Sequence, residues 1–154
     1  MDNQVNYALL AEQIDALMET DPDKIPVLAN ASALLMDTLP RINWAGFYLL
    51  RGDMLVLGPF QGKPACIHIK VGSGVCGTAV RDRKTQRVPD VHAFPGHIAC
   101  DSASRSEIVI PLFRPNGEIF GVLDIDSPDL DRFTPEDEAG LISFAKRIEA
   151  RIVV

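Results

Sequence analysis

Cys100 lies in a polar stretch of the chain that could carry redox chemistry. The segment GHIACDSASRSEIVIP, residues 96–111, begins as a predicted loop and ends as a predicted strand. A structural cysteine is usually surrounded by apolar residues and behaves as a small hydrophobic group, but Cys100 has small and polar neighbours. A reactive thiol needs partial exposure and a lowered pKa, which a nearby cation or backbone N–H groups can provide. Because His97 and Arg105 are close in the sequence, we predict that Cys100 is such a thiol.

The chain has two other cysteines, Cys66 and Cys76. A low, odd number of cysteines is not typical of a secreted disulfide framework, and a disulfide in a reducing compartment is more often transient and catalytic than structural. Cys66 begins a predicted strand, whereas Cys76 lies in GVCGTAV, where small neighbours indicate a packed and less reactive thiol. The three cysteines therefore fit thiol redox chemistry, in which one thiol attacks the substrate and another resolves the oxidised thiol.

Zinc binding is a competing interpretation of the same cysteines. They could combine with His68, His92 or His97 in a zinc-stabilised interaction module. Structural zinc sites usually present their ligands in close pairs, and no Cys-x-x-Cys pair occurs in the chain. We therefore predict no metal site and favour thiol chemistry.

Two aspartates in the segment FGVLDID, residues 120–126, could supply acid chemistry. Side chains alternate across a strand, so one face would carry Phe120, Val122, Asp124 and Asp126. Crowding of two carboxylates and partial burial among apolar residues both favour protonation of one of them, and a protonated carboxyl group can act as a general acid. The alternative is that Asp126 merely begins the turn DSP.

Glu107 could join the two aspartates across a hairpin. It opens the predicted strand SEIVIPLF, and Asn116-Gly117 is a strong signal for a tight turn into the strand that carries the aspartates. Several carboxylates in one site suit a substrate with an amino group, although Glu107 could also be a solvated edge charge. Trp44, the single tryptophan, could belong to the core or line a pocket for a methyl or methylene group.

The elements that must position these residues indicate an α+β domain. Helical spacing predicts helices over about 5–19 and 26–39, and alternation predicts strands over 42–50, 54–60 and 65–71. The segment GSGVCGTAV leads into a short helix and lacks the Gly-Lys-Ser/Thr ending of a phosphate-binding loop. The segment TQRVPDV is a short strand, and Thr134 and Pro135 begin a last helix. We predict an antiparallel sheet with helices on one face and loops on the other.

Composition limits the classes of partner. The chain has 154 residues, a net charge of −6 and 47% hydrophobic residues, which fits a single soluble domain over residues 1–154. The negative charge argues against nucleic acid and anionic membranes. No apolar run approaches the roughly 20 residues of a membrane helix, and the N-terminus lacks the basic residues of a signal peptide. We expect a cytoplasmic protein.

Taken together, these segments resemble the free methionine-(R)-sulfoxide reductases, a family of stand-alone GAF-domain enzymes. The resemblance rests on INWAGFYLL, GPFQGKPACIHI, GSGVCGTAV, VPDVHAFPGHIACDSASRSEIVIPL, GVLDIDSP and RFTPEDEAGL, and it covers nearly the whole chain. It implies a GAF-like fold with a six-stranded antiparallel sheet, a homodimer, and reduction of free L-methionine (R)-S-oxide to methionine without a cofactor.

The resemblance also implies roles for individual residues. Cys100 would attack the substrate and become a sulfenic acid, Cys66 would resolve it as a disulfide, and thioredoxin would reduce that disulfide. Cys76 matches the third cysteine of the family. The carboxylates of Glu107, Asp124 and Asp126 would hold the sulfoxide oxygen and the amino group, and Trp44 would pack against the methyl group. The expected substrate-binding set is Trp44, Tyr48, Asp90 and Asp124.

This implied chemistry agrees with the residue types. A sulfoxide sulfur becomes electrophilic when its oxygen is protonated or hydrogen-bonded, so reduction needs a nucleophile on one side and an acid on the other. Cys100 could supply the nucleophile, and Glu107 with Asp126 the acid. The alternative hypothesis is a ligand-binding GAF sensor for a cyclic nucleotide or an amino acid, which would bind its ligand without turnover.

Overall fold

The computed structural model of the chain describes residues 4–97 and 103–152. Its elements are α1 (Tyr7–Met18), α2 (Lys24–Thr38), β1 (Trp44–Arg51), β2 (Met54–Gly62), β3 (His68–Lys70), α3 (Gly74–Asp82), β4 (Gln86–Val88), a 3₁₀ turn (Val91–Ala93), β5 (Ser106–Phe113), β6 (Ile119–Ser127) and α4 (Pro135–Arg151). The predicted order of two helices, mostly hairpin-linked strands and a final helix is confirmed, and the first two helices end within two residues of the predicted limits.

The six strands form one antiparallel sheet in the order β3-β2-β1-β6-β5-β4. The central strands β1 and β6 are therefore neighbours in space although about 70 residues separate them in the chain. The hairpin of β5 and β6 turns at Asn116 and Gly117, as predicted, and Gly117 adopts a φ of 89° in the left-handed region. The predicted α+β class with an antiparallel sheet is confirmed.

Each face of the sheet has its own apolar cluster. Helices α1, α2 and α4 cover one face together with buried residues such as Phe47, Leu123 and Ile125. Helix α3 and the loops cover the other face, where the cluster includes Trp44, Tyr48, Val122 and Cys76. Alternation along β1 and β6 sends successive side chains into the two clusters, and each large buried side chain contributes about 1.5–3 kcal/mol to folding.

A bulge in β6 changes which residues share a face with the aspartates. Leu112 pairs with Gly121, but the next residue of β5, Phe113, pairs with Ile119, so Phe120 is an extra residue. Phe120 therefore packs in the cluster under α1, α2 and α4. The expectation that Phe120 lies on the same face as Asp124 and Asp126 is wrong, because the bulge shifts the alternation by one residue. Val122 lies on the opposite face from Phe120, in the cluster under α3.

The start of α4 is anchored by a buried polar network. Thr134 caps the helix and forms a reciprocal capping box with Asp137, which confirms the predicted N-cap. The Tyr7 hydroxyl donates to Asp137 at 2.6 Å, and the buried Arg132 guanidinium donates to the same carboxylate at 3.0 Å. These contacts hold α1 against α4. No helix in the described ranges is long and apolar enough to span a membrane.

Candidate active site

A cavity of about 50 Å³ lies between α3 and the strands β1, β5 and β6. Several candidate residues chosen from the sequence line it: Trp44, Tyr48, Cys76, Glu107, Asp124 and Asp126. Its wall also includes Ser104 and His97, which come from the two ends of the segment that the structure does not describe. The residues come from five separate parts of the chain, so only the folded sheet and α3 bring them together.

The register of the sheet places the acidic residues beside the tryptophan. Asp126 of β6 lies opposite Trp44 on one side and opposite Glu107 on the other. Asp124, two residues earlier, lies opposite Gly46 of β1. Neighbouring strands are about 4.8 Å apart, so three adjacent strands present an aromatic ring and three carboxylates to the same cavity. The predicted approach of Glu107 to Asp126 is confirmed.

Three aromatic rings stack on one side of the cavity, and two of them, Trp44 and Tyr48, form part of its wall. Trp44 stacks on Phe60 with ring centroids 5.1 Å apart and on Tyr48 at 6.0 Å. The indole Nε1 of Trp44 donates to the carbonyl of Lys63 at 3.1 Å. A Cβ atom on Gly46 would lie 2.3 Å from Cβ of Phe60 and 2.9 Å from the Trp44 ring, so the absence of a side chain at Gly46 permits this stacking. The indole is fixed by packing and by a hydrogen bond at its polar edge.

Tyr48 connects this wall to the segment that carries Cys66. Its hydroxyl donates to the backbone carbonyl of Cys66 at 2.9 Å, and burial, followed by the charge of Asp124, raises the pKa of Tyr48 above its ordinary value. Cys66 itself is half-buried and packs against the cluster under α3. It directly follows Pro64 and Ala65, which line the cavity. The backbone around Cys66 is therefore anchored beside the cavity.

Cys76, Glu107 and Asp124 form a compact buried cluster. Their exposed fractions are 4%, 8% and 5%, and one ligand atom from each lies within 4.8 Å of the other two. The Cys76 thiol donates to Oε2 of Glu107 at 4.0 Å. The sequence prediction that Cys76 is packed is confirmed. Its position beside two carboxylates could not be predicted from spacing, because α3 lies far from β5 and β6 in the sequence.

The electrostatics of this cluster favour protonated groups. Burial, followed by the charge of Asp124, raises the pKa of Glu107 well above its ordinary 4.5. Burial, followed by the charge of Asp126, raises the pKa of Asp124 well above 3.8. Burial and the neighbouring carboxylates also raise the pKa of Cys76. Each shift has the same physical cause, which is that a charge in a dry site with like-charged neighbours is unfavourable.

The glycine-rich segment forms the opposite rim of the cavity. Ser73, Gly74 and Val75 line it at the first turn of α3, and the predicted short helix is confirmed. The first N–H groups of a helix have no acceptor within the helix. Gly77 lets α3 lie against the end of β3, since a Cβ there would be 2.5 Å from the carbonyl oxygen of Lys70. The rim thus offers polar backbone groups opposite the carboxylates.

His97 and Ser104 flank the segment with Cys100. From the sequence, His97 was expected as a neighbour of Cys100 or as a possible zinc ligand. Ser104 was not predicted as a site residue; it is buried and accepts a hydrogen bond from Nδ2 of Asn43 at 3.2 Å. Its signal was weak because a serine in a polar loop is common. His97 contacts the His92 ring edge-on at 5.9 Å. Burial, followed by the charge of His92, lowers the pKa of His97. Cys100 lies outside the described residues.

Asp90, unlike most of the other candidate site residues, does not line the cavity in the described part of the chain. Its carboxylate accepts a hydrogen bond from the N–H of His92 at 3.0 Å and caps the 3₁₀ turn that follows β4. The structure brings together seven of the nine candidates in or beside the cavity, since Cys66 adjoins it. Asp90 is placed outside the lining, and Cys100 is not described.

Comparison with known proteins places the chain in a family. The sequence profile of the GAF domain matches residues 26–152. A protein of Escherichia coli (strain K12) named free methionine-R-sulfoxide reductase is 58% identical over 143 residues, which are 93% of this chain and 86% of that protein. The GAF fold implied by the resemblance is therefore confirmed.

Solved structures with bound substrate have the same fold. The structure of fRMsr of Staphylococcus aureus in complex with substrate has a TM-score of 0.93 and 53% identity, covering 99% of each chain. The structure of free methionine-R-sulfoxide reductase from Neisseria meningitidis in complex with its substrate has a TM-score of 0.90 and 45% identity, covering 94% of this chain and 87% of that one. Both similarities cover at least 94% of this chain.

Proposed function

This chain belongs to the GAF-domain family and, within it, to the free methionine-R-sulfoxide reductases, and we propose that it reduces free L-methionine (R)-S-oxide to L-methionine. The observation that carries the proposal is the arrangement of Trp44 beside Glu107, Asp124 and Asp126 on three adjacent strands. This arrangement matches two groups of the substrate, the methyl sulfoxide and the ammonium group.

The substrate's polar groups find complementary partners in the cavity. Asp124 provides a buried acceptor for the ammonium group, and the first-turn N–H groups of α3 at Gly74 and Val75 suit the carboxylate. The Trp44 indole provides an apolar surface for the methyl group. Glu107 and Asp126 are the candidates for donating a proton to the sulfoxide oxygen. The raised pKa of Glu107 supports this, because a carboxyl that retains its proton near neutral pH can act as an acid.

We assign the attack on sulfur to Cys100. The thiolate attacks the sulfoxide sulfur while the oxygen takes up a proton, and the oxygen ends on Cys100, so that methionine sulfoxide and a thiol give methionine and a sulfenic acid. The buried carboxylates beside Cys76 support this assignment, because they raise its pKa and disfavour its thiolate. Cys100 is also only three residues from His97 and four from Ser104, which both line the cavity.

The cycle is completed by a second thiol and an external reductant. The Cys66 thiol condenses with the sulfenic acid, which releases water and forms a disulfide, and the dithiol of thioredoxin reduces that disulfide to two thiols. The position of Cys66 next to the cavity rim supports this role, as does its disulfide-bonded state. We also propose that the chain is a single domain over residues 1–154 and that it acts as a homodimer in the cytoplasm.

The activity test uses two reductants and three substrates. The purified full-length chain is incubated with free methionine (R)-S-oxide, free methionine (S)-S-oxide or a peptide containing methionine sulfoxide, and methionine formation is measured with dithiothreitol and separately with thioredoxin, thioredoxin reductase and NADPH. We expect turnover only of the free R epimer and with both reductants. Comparable activity on the peptide contradicts the substrate assignment, and tight binding of methionine sulfoxide without product favours the sensor hypothesis.

A further inference from the structure

The buried cluster of Cys76, Glu107 and Asp124 has the chemistry of a metal site. The three side chains come from α3, β5 and β6, and their thiol and carboxylate ligand atoms all lie within 4.8 Å of one another. Thiolate and carboxylate ligands together suit borderline-soft divalent cations such as Zn²⁺ rather than Mg²⁺ or Ca²⁺, which require oxygen ligands. Because each of the three residues is more than nine-tenths buried, the donors are held in position by the core.

One atom of this cluster requires a partner that the described residues do not provide. Oδ1 of Asp124 is buried and has no hydrogen-bond partner in the described part of the chain. Leaving a buried acceptor unsatisfied is unfavourable, and more so for a charged group. The described residues that line the cavity include no lysine or arginine that could neutralise the carboxylates. A divalent cation in the cavity would provide a partner for Asp124 and offset most of the negative charge of the cluster at the same time.

We propose that this cavity binds one Zn²⁺ ion through Sγ of Cys76 and one carboxylate oxygen each from Glu107 and Asp124, with water as the fourth ligand. Zinc–sulfur and zinc–oxygen bonds of about 2.3 and 2.1 Å place neighbouring ligand atoms roughly 3.5 Å apart. The observed distance of 4.0 Å between Sγ of Cys76 and Oε2 of Glu107 therefore needs to shorten by only about half an ångström when the ion binds. Binding displaces the thiol proton and the carboxylic protons into solvent, and the cavity volume of about 50 Å³ accommodates the ion and its water.

Zinc would compete with the substrate for the same groups. The proposed function uses Glu107 and Asp124 for the sulfoxide oxygen and the ammonium group, so an ion on these carboxylates would block the reaction without touching the attacking thiol. Binding of the ion follows from the cluster alone, whereas the inhibition rests on the proposed function. The two parts of the proposal are therefore tested by separate measurements.

The binding test isolates the Cys76 thiol. The full chain has three cysteines, so the double variant Cys66→Ser/Cys100→Ser retains only Cys76. Cd²⁺ serves as the spectroscopic probe, since a cadmium–thiolate bond has a charge-transfer absorption in the ultraviolet, and Zn²⁺ is then added as the competitor. We expect the band to reach its maximum at one Cd²⁺ per chain and to disappear on addition of Zn²⁺. Absence of the band in this variant overturns the proposal.

Further substitutions in the same background identify the carboxylate ligands. Cys76→Ser should abolish the band, and Glu107→Gln or Asp124→Asn should weaken Cd²⁺ binding roughly tenfold or more. Glu118→Gln is the matched control, because Glu118 is an exposed carboxylate on the same hairpin and its loss should leave the affinity unchanged. Circular dichroism verifies that each variant is folded. Equal affinities in all three carboxylate variants would overturn the proposed coordination.

Isothermal titration of Zn²⁺ into the same double variant tests competition without any activity measurement. Saturating L-methionine should lower the apparent zinc affinity if both occupy the cavity. Zinc that binds this variant through Cys76 with an affinity independent of methionine would overturn the competition but not the site. Absence of reductase activity in the wild-type chain together with the cadmium band would instead reject the proposed function and leave the metal site supported.

Discussion

Glu107 and Asp126 lie directly opposite each other on the antiparallel strands β5 and β6, and Asp126 is also opposite Trp44 on β1. The pairing depends on the hairpin turn at Asn116 and Gly117 and on the extra residue Phe120, which moves the register by one so that Glu107 lies opposite Asp126 rather than Ile125. It places two carboxyl groups on one side of a position where the tryptophan ring can hold a methyl group. A sulfoxide in this position would have its oxygen near the acids and its sulfur accessible from the loop side.

The first prediction concerns the proposed acids. Glu107→Gln and Asp126→Asn should each slow the single-turnover formation of methionine by roughly 10²-fold or more, because a positioned general acid contributes on this scale. Both amides keep the shape of the side chain but cannot transfer a proton. Rapid-quench measurement with the pre-reduced enzyme isolates this chemical step.

The exposed Glu118 provides the control for these substitutions. Glu118→Gln removes a carboxylate from the same hairpin without altering the cavity, and its single-turnover rate should equal that of the wild-type chain. If Glu107→Gln and Asp126→Asn changed only the Michaelis constant, the two residues would be binding groups and the acid would be elsewhere.

The hairpin shows how far local rules predict this site. Alternation along β6 predicted Asp124 and Asp126 on one face, and the Asn-Gly signal predicted that Glu107 approaches Asp126 across the hairpin, because both relationships depend on residues close in the sequence. The bulge at Phe120 was not predictable, because it depends on how that ring packs against distant helices. Alternation was wrong only at that residue and correct for the aspartates beyond it.

The position of Cys76 depended on longer-range structure. Its small neighbours correctly predicted a packed thiol, but spacing could not predict that α3 lies across β5 and β6. Asp90 is a polar residue that was expected in the site, but in the structure its side chain caps a 3₁₀ turn. A short polar side chain has the same local signature in a cap as in a site, so only the tertiary structure distinguishes them.

The second prediction is a gain in stability on removal of a buried acid. Because the pKa of Glu107 is raised in the folded chain above its ordinary 4.5, the folded state binds more protons than the unfolded state above that pH. The contribution of Glu107 to the free energy of unfolding is therefore greatest at acidic pH and is lost as pH rises through the folded-state pKa. At pH values above the folded-state pKa, each unit by which the pKa of Glu107 is raised lowers the free energy of unfolding by about 1.4 kcal/mol.

Glu107→Gln should therefore be more stable than the wild-type chain at pH 8, and the difference should disappear near pH 4. Urea unfolding followed by circular dichroism at several pH values gives both free energies. Asp124→Asn should behave alike, because the pKa of Asp124 is raised by burial and by Asp126. A variant that is less stable than the wild-type chain at pH 8 would show that the carboxylate is stabilised when ionised.

The third prediction concerns the attacking thiol. Cys100→Ser should abolish methionine formation even in a single turnover, because a serine hydroxyl at neutral pH cannot replace a thiolate in attack on sulfur. Product formation at enzyme concentrations above that of the substrate is the direct measurement. Cys76→Ser is the matched comparison and should retain its single turnover, since the Cys76 thiol is buried with a raised pKa. Retained activity in Cys100→Ser would assign the attack to Cys76 or Cys66.

The fourth prediction separates the resolving step from the attack. Cys66→Ser should leave the first turnover intact and give about one methionine per active site. The Tyr48 hydroxyl bonds to the backbone carbonyl of Cys66 rather than to its side chain, so serine preserves this anchor. Steady-state turnover with thioredoxin should then collapse, because the sulfenic acid at Cys100 has no partner thiol for the disulfide that thioredoxin attacks.

A sulfenic-acid probe of the dimedone type identifies the accumulated intermediate in Cys66→Ser. After addition of substrate, mass spectrometry should find the label on Cys100 in this variant and much less of it in the wild-type chain, where the disulfide removes the sulfenic acid. Cys76→Ser serves again as the comparison and should resemble the wild-type chain, because a thiol with a raised pKa is a poor resolving nucleophile. Full thioredoxin-dependent turnover in Cys66→Ser would instead mean that Cys76 resolves the sulfenic acid or that thioredoxin reduces it directly. The double variant Cys66→Ser/Cys76→Ser distinguishes these two routes, since only direct reduction would survive in it.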